Sequence, residues 1–227
     1  MFRIDLKGDE LHKKLGGGIP RNAFVLIEAE NAIGKSALAQ RFIYGALTNK
    51  HTATYISSEM TLVGFMNQMK SLHYDIKSKI LNKDLLYISL FPAFSDITFR
   101  AHLIETLLGA QQLFEKDIIV FDTLSELLVK QEMSLQECFD FASHLKKVAG
   151  KDKAIVFCVD PSRLNEALLS MLKSVSDVYI SMGSKEIYGK SVKVMRVQRF
   201  NGAMNDVEEE IAYKVKAGVG IVPELAG

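Results

Sequence analysis

The run Phe24-Val25-Leu26-Ile27-Glu28, then Ala29-Glu30-Asn31-Ala32-Ile33, then Gly34-Lys35-Ser36-Ala37-Leu38, limits what this chain can fold into more than any other stretch. An apolar segment of buried-strand length breaks into small and polar residues and enters a helical pattern at Gly-Lys-Ser. Such a junction aims successive backbone N–H groups and the positive end of a helix at one point, where an anion is favoured. A lysine there neutralises terminal phosphates and the next hydroxyl holds Mg²⁺, the two roles open to Lys35 and Ser36. The expected phosphate cradle is Glu30, Asn31, Ala32, Ile33, Gly34, Lys35, Ser36 and Ala37. Glycine is wanted where Ala29 stands, because the backbone is expected to turn sharply there beside the phosphates. Ala29 therefore argues against fast turnover more than against binding. An ordinary strand-to-helix turn with a solvated Lys35 is the alternative, and the flanking strand and helix weigh against it.

With 227 residues, 48% of them hydrophobic, the chain can bury one sizeable core, and one domain spanning 1–227 is expected. Lys+Arg 28 against Asp+Glu 27 leaves a formal charge of +1, so no global basic field recommends nucleic acid as a partner. Cys138 and Cys158 lack the spacing of a disulfide framework or a zinc site, and the five histidines are scattered without ligand spacing. No signal-peptide or membrane-spanning run is evident, so a cytoplasmic location is expected, with membrane contact only through partners.

Along the chain, Leu15-Gly16-Gly17-Gly18-Ile19-Pro20 precedes the first strand and is expected to be a structural turn, not a second cradle. The helix after Lys35 carries Leu38, Phe42, Ile43, Ala46 and Leu47 at helical spacing. Strands are expected at 52–57, 85–89, 118–122 and 154–159, with Ser58, Glu59 and Met60 directly after the first of these. Helices are expected along Leu62, Phe65, Met66 and Met69, from Ile97 to Phe114, and after a capping box at Ser134-Leu135-Gln136-Glu137 with Phe139, Ala142, Leu145 and Val148 inward. Asp160-Pro161 is expected to cap and open a further helix. Strands at 177–182 and 192–199 and a hairpin from Ile211 to Val222 close the chain. The alternation predicts an α/β fold with a mostly parallel sheet covered on both faces and an antiparallel C-terminal extension.

All parallel strands end along one edge, where ligands bind. That edge gathers Lys35, Ser36, Glu59 and Asp122. Asp122 closes four apolar residues and needs a cation or hydrogen-bond partners, which suits a Mg²⁺ shell shared with Ser36. Glu59 suits orienting or deprotonating a water, unless it caps the next helix. Arg196 and Arg199, three apart, point to opposite faces of a regular strand, so only one can reach a phosphate.

The glycine-rich lead-in, the loop at Ala29 to Ser36, Tyr55-Ile56-Ser57-Ser58-Glu59-Met60, Gly64-Phe65, Gln68-Met69, Ser71-Leu72, Tyr74-Asp75-Ile76, Leu85 to Ile88 and Gly218-Val219-Gly220-Ile221-Val222-Pro223 resemble the single-domain, KaiC-like branch of RecA-type ATPases. Within it they are most similar to the archaellum accessory ATPase family, FlaH or ArlH. The resemblance covers nearly the whole chain. It implies a RecA-type three-layer αβα sandwich in which the strand ending at Val159 lies between the loop strand and the strand ending at Asp122. It also implies ATP on Lys35 and Ser36, Mg²⁺ near Asp122, Glu59 in the catalytic-glutamate position, and Arg196 or Arg199 reaching a neighbouring subunit's nucleotide. The implied setting is a homo-oligomeric, hexameric ring at the membrane-side motor base. Its implied partners are the motor ATPase FlaI and the ring or scaffold protein FlaX. Ala29, Ile33 and the apolar Cys158-Val159 before Asp160 depart from hydrolytic relatives and favour a nucleotide-gated switch over a motor. Rivals are an active KaiC-like ATPase or kinase, a RecA-type DNA-binding recombinase paralogue, and a scaffold with a decayed pocket.

Overall fold

The computed structural model describes residues 1–7, 9–91, 102–125, 134–187 and 189–224. Its elements are β1 (Phe2–Arg3), α1 (Leu11–Lys14), β2 (Gly18–Ile19), β3 (Ala23–Ala29), α2 (Lys35–Thr48), β4 (Ala53–Ser57), α3 (Leu62–Ser71), α4 (Lys77–Leu81), β5 (Leu85–Ser89), α5 (Leu103–Gly109), β6 (Ile118–Asp122), α6 (Leu135–Ala149), β7 (Ala154–Val159), α7 (Glu166–Val175), β8 (Val178–Ile187), β9 (Lys190–Phe200), β10 (Glu210–Lys216) and β11 (Gly220–Pro223). Nine strands form one sheet in the order β11-β10-β9-β8-β3-β7-β6-β4-β5. From β8 to β5 every pairing is parallel, and β8, β9, β10 and β11 pair antiparallel. The expected α/β architecture is present, including β7 between β3 and β6.

Side chains alternate between the faces of a strand, and here both faces are apolar because helices cover both. Val25 and Ile27 of β3, Ile118 and Val120 of β6, and Val156 and Cys158 of β7 face one core, shared with Leu38, Phe42 and Ile43 of α2 and with Phe65 and Met69 of α3. Phe24, Leu26, Ile119, Phe121, Ile155 and Phe157 face the other, shared with α6 and α7. The result is the expected αβα sandwich. By the same parity Asp122, two residues after Val120, falls on the α2 side.

Local chemistry sets the helix ends. Ser134 and Glu137 form the expected capping box, and Thr61 caps α3 by accepting from the Gly64 amide. Two expectations change. Phe139 lies on the exposed side of α6, and Phe141 takes the inward place with Cys138, Ala142, Leu145 and Val148. A spacing of three or four from Cys138 selects Phe141 and Ala142, and leaves Phe139 about 100° away around the helix. The helix expected from Ile97 is seen over Leu103–Gly109 and gives way to a 3₁₀ turn at Gln111–Phe114; residues 97–101 lie outside the described residues. The glycine run at Gly16 and Gly17 is structural as expected. Gly16 and Gly17 have φ of 62° and 97°, and Gly18 lies so close to the Phe2 carbonyl in the β1–β2 pair that a Cβ would sit 2.4 Å from its oxygen.

The amino-terminal segment is tied to α2 by a buried ion pair. Arg41 is fully buried, donates Nε and Nη2 to Asp9 at 2.6 Å each, and donates Nη1 to the Ile4 carbonyl at 2.7 Å. Removing one partner of such a pair leaves an uncompensated interior charge. Asp9→Ala is therefore expected to lower stability by about 3–5 kcal/mol, read from the urea unfolding midpoint at constant m-value.

Candidate functional site

The loop between β3 and α2 is built by main-chain geometry. Ala29 is the buried last residue of β3, in register with Met182 of β8, and its φ is not positive. The sharp turn expected at Ala29 occurs further on, at Ala32 with φ 64° and Gly34 with φ 125°. A Cβ in the left-handed region costs roughly 1 kcal/mol, and Ala32 bears that cost. Ile33 packs its side chain against the core beneath. Gly34 is the N-cap of α2, and no side chain caps the helix. The opening amides of α2 thus have no side-chain acceptor, the condition under which a helix start receives an anion.

Lys35 is 4% exposed, with Nζ 3.3 Å from Asn31 Oδ1. Ser36 donates its hydroxyl to Asp122 Oδ1 at 2.9 Å. Asp122 is fully buried and also accepts from Tyr55 Oη at 2.5 Å and from Thr123 Oγ1 at 3.1 Å. Burial pushes the Asp122 carboxyl above the usual range, and the hydroxyls of Tyr55, Ser36 and Thr123, with Lys35 nearby, pull it back. Burial first, then the Asp122 carboxylate, drives the Tyr55 phenol well above its ordinary value, so it stays a proton donor. Cys158, buried on the same face, is likewise raised well above its usual value by burial and by Asp122. Among the described residues there is no group of three or more His, Cys, Asp or Glu side chains able to hold a metal. A hydroxyl and a carboxylate in contact nevertheless suit Mg²⁺, which takes one or two protein oxygens and fills its shell with phosphate and water.

Glu59 is exposed two residues beyond Ser57, whose register partner is Asp122. Its turn is knitted to both neighbouring strands. Ser57 Oγ accepts from the amides of Glu59 and Met60, and Ser58 donates its hydroxyl to the Thr123 carbonyl. The Met60 carbonyl accepts from Tyr87 Oη at 2.7 Å and Ser89 Oγ at 2.8 Å. Thr61 caps α3, so Glu59 does not. Asp160 has the cap role expected of it, accepting from the Ser162 amide at 3.0 Å and from the Ser162 hydroxyl at 2.7 Å, but what it opens is a 3₁₀ turn at Pro161–Arg163, and α7 begins later under an Asn165 cap.

Arg196 and Arg199 are not brought to the loop of their own chain. Arg196 of β9 pairs through Nε with Glu210 of β10 at 2.8 Å. Arg199 Nη1 donates to the Ser176 carbonyl at 2.7 Å and the Lys173 carbonyl at 3.0 Å, closing the C-terminal end of α7, where a cation is favoured. Their expected opposite faces are overturned. In the β8–β9 register Tyr179 faces Arg199 and Ile180 faces Val197, so Gln198 is an extra residue. Met195, Val197 and Phe200 share the α2-side core, which leaves both arginines on the other face.

Three contributors escaped sequence reasoning. Tyr55 was legible in principle, since it lies two residues before Ser57 and hence on the Asp122 face. Lys193 Nζ donates to the Ala32 carbonyl at 2.7 Å and Tyr213 Oη donates to the Ile33 carbonyl at 2.9 Å. Neither has a local signal, because its position depends on β9 and β10 pairing far along the chain.

A family model described as ATPase: KaiC matches residues 8–225. The archaeal flagellar ATP-binding protein FlaH of Methanococcus voltae is 34% identical over 99% of this chain and 97% of its own length. That of Methanocaldococcus jannaschii is 32% identical over 100% and 97%. The crystal structure of the flagellar accessory protein FlaH from M. jannaschii superposes with a TM-score of 0.91 at 31% identity, covering 99% of both chains. A KaiC-like protein from Pyrococcus horikoshii OT3 shares the fold, with a TM-score of 0.75 at 13% identity over 99% of this chain and 100% of its own. No helix among the described residues is long and apolar enough to cross a membrane. With its loop, sheet order and full-length likeness all in accord, the chain belongs to the KaiC-type ATPases and, within them, to the FlaH family.

Proposed function

We propose that this chain is an ATP-binding regulatory component of the archaeal flagellar motor, in which nucleotide binding, more than hydrolysis, sets the state of a ring or partner interface. The observation that carries the reading is the uncapped start of α2, where a buried Lys35 and the Ser36–Asp122 contact meet. The amides of 30–37 and Lys35 hold the phosphates, and Ser36 and Asp122 hold Mg²⁺. Bound Mg-ATP supplies the charge that makes one arrangement of these loops more favourable than another. Slow or absent turnover is supported by a loop whose left-handed position carries a Cβ and whose Ile33 is anchored in the core. Ring formation is supported by Arg196, half exposed on β9 away from its own loop and held there by a surface ion pair with Glu210 that a neighbour's phosphates can displace. FlaI and FlaX are the proposed partners at a membrane-peripheral motor base, and the named relatives support that setting.

Calorimetry with Mg-ATP tests the cradle. Lys35→Ala is expected to weaken binding by about tenfold or more, the loss that goes with a hydrogen bond to a charged group, with the melting temperature kept.

Asp122→Asn separates stability from binding. Because burial raises the folded-state pKa of Asp122, the stability tied to its proton is complete below the ordinary carboxylate range and is lost as pH rises through the raised value. At neutral pH the amide escapes that loss while keeping partners for Ser36 and Tyr55. The variant is expected to melt higher than wild type without nucleotide, and to lose the Mg²⁺-dependent part of its ATP affinity.

Glu59→Gln decides between switch and motor. The switch reading expects it to bind ATP as wild type does and to restore swimming to an archaeon lacking FlaH. Preserved binding with motility abolished would show that hydrolysis is essential and sink the reading.

A further inference from the structure

Two side chains at the start of the antiparallel extension grip consecutive carbonyls of the phosphate loop. Lys193 of β9 and Tyr213 of β10 are direct register partners, so their side chains leave the sheet together on the α2 side, where Tyr213 is fully buried. Lys193 holds the Ala32 oxygen and Tyr213 the Ile33 oxygen. The only cis peptide among the described residues is Asp122–Thr123. The 32–33 and 33–34 peptides are therefore trans and planar, and each N–H points opposite to its own carbonyl. A grip on the Ala32 oxygen turns the Ile33 amide away from the β9–β10 pair, and a grip on the Ile33 oxygen does the same for Gly34. Among the described residues neither amide donates to a protein acceptor.

We propose that Lys193 and Tyr213 are positioning residues that preset the Ile33 and Gly34 amides for a polyphosphate, an inference that rests on the ATP-binding reading above. Such an anchor suits a loop in which Ala32 holds a left-handed conformation with no help from glycine. Lys193 makes a charge-assisted bond, the stronger of the two kinds, and Tyr213 a neutral one. Cradle and extension are thereby mechanically joined.

The test uses the full-length protein with Mg-ATP as probe and Lys193→Met, Lys193→Arg, Tyr213→Phe and Lys35→Ala as variants. Binding is measured by calorimetry, and the backbone N–H order parameters of Ile33 and Gly34 by ¹⁵N relaxation on the nucleotide-free protein. Lys193→Met is expected to weaken binding about tenfold and Tyr213→Phe about fivefold, as befits a charged and a neutral hydrogen bond. Lys193→Arg is expected to restore most of the affinity. The N–H order parameter should fall at Ile33 in Lys193→Met and at Gly34 in Tyr213→Phe. Wild-type affinity and wild-type order parameters in both variants would overturn the proposal. Failure of the wild-type protein itself to bind Mg-ATP would instead overturn the ATP-binding reading, and the order parameters would still decide whether the two side chains brace the loop.

Discussion

A carboxyl group sealed in a sheet is costly, and the geometry of the site depends on how that cost is met at Asp122. Three hydroxyls converge on it, from Tyr55, Ser36 and Thr123. One lies on a neighbouring strand, one on the first turn of the loop helix, and one on the next residue. The carboxyl thus fastens β4, β6 and α2 to one point. Its burial still outweighs these bonds in setting its proton affinity. A protein concerned only with stability would place an apolar residue there, which supports the proposed Mg²⁺ role.

The loop helix is held at its start and at its middle. At its start Ser36 meets Asp122, and about one and a half turns later Arg41 meets Asp9 and the Ile4 carbonyl. The second contact needs close approach. Gly45 lies where a Cβ would sit 2.4 Å from the Ile4 oxygen and 2.6 Å from Arg41 Nη1. Both anchors act on an element whose own N-terminus lacks a side-chain cap. Tertiary contacts here supply what local capping leaves undone, and the amides at the helix start stay open to an outside anion.

Strands buried on both faces declare themselves as short apolar runs, and β3, β6 and β7 were legible for that reason. Lys35, Ser36, Glu59 and Asp122 were placed by one rule, that parallel strands end on a common edge, and the structure brings all four to that edge. What eluded the sequence depended on long-range pairing or on phase. Lys193 and Tyr213 acquire their contacts only when β9 and β10 pair and are carried to β3 through β8. The sharp turn was expected at Ala29 because a glycine pattern implied it, and the backbone turns, with positive φ, at Ala32 and Gly34 instead. Phe139 and Phe141 differ by two residues, enough on a helix to exchange solvent for core.

Gln198 shows how far one surplus residue carries. On its N-terminal side β9 presents Met195 and Val197 to the α2-side core, and beyond it Phe200 resumes that task. Were the strand regular through Gln198, with no bulge, strict alternation would bring Arg199 inward, under apolar neighbours, and would strip the last carbonyls of α7 of their cation. Comparisons among relatives that slide one residue across this stretch would therefore exchange a greasy side chain for a guanidinium, and so misjudge which strand residues greet an adjoining molecule.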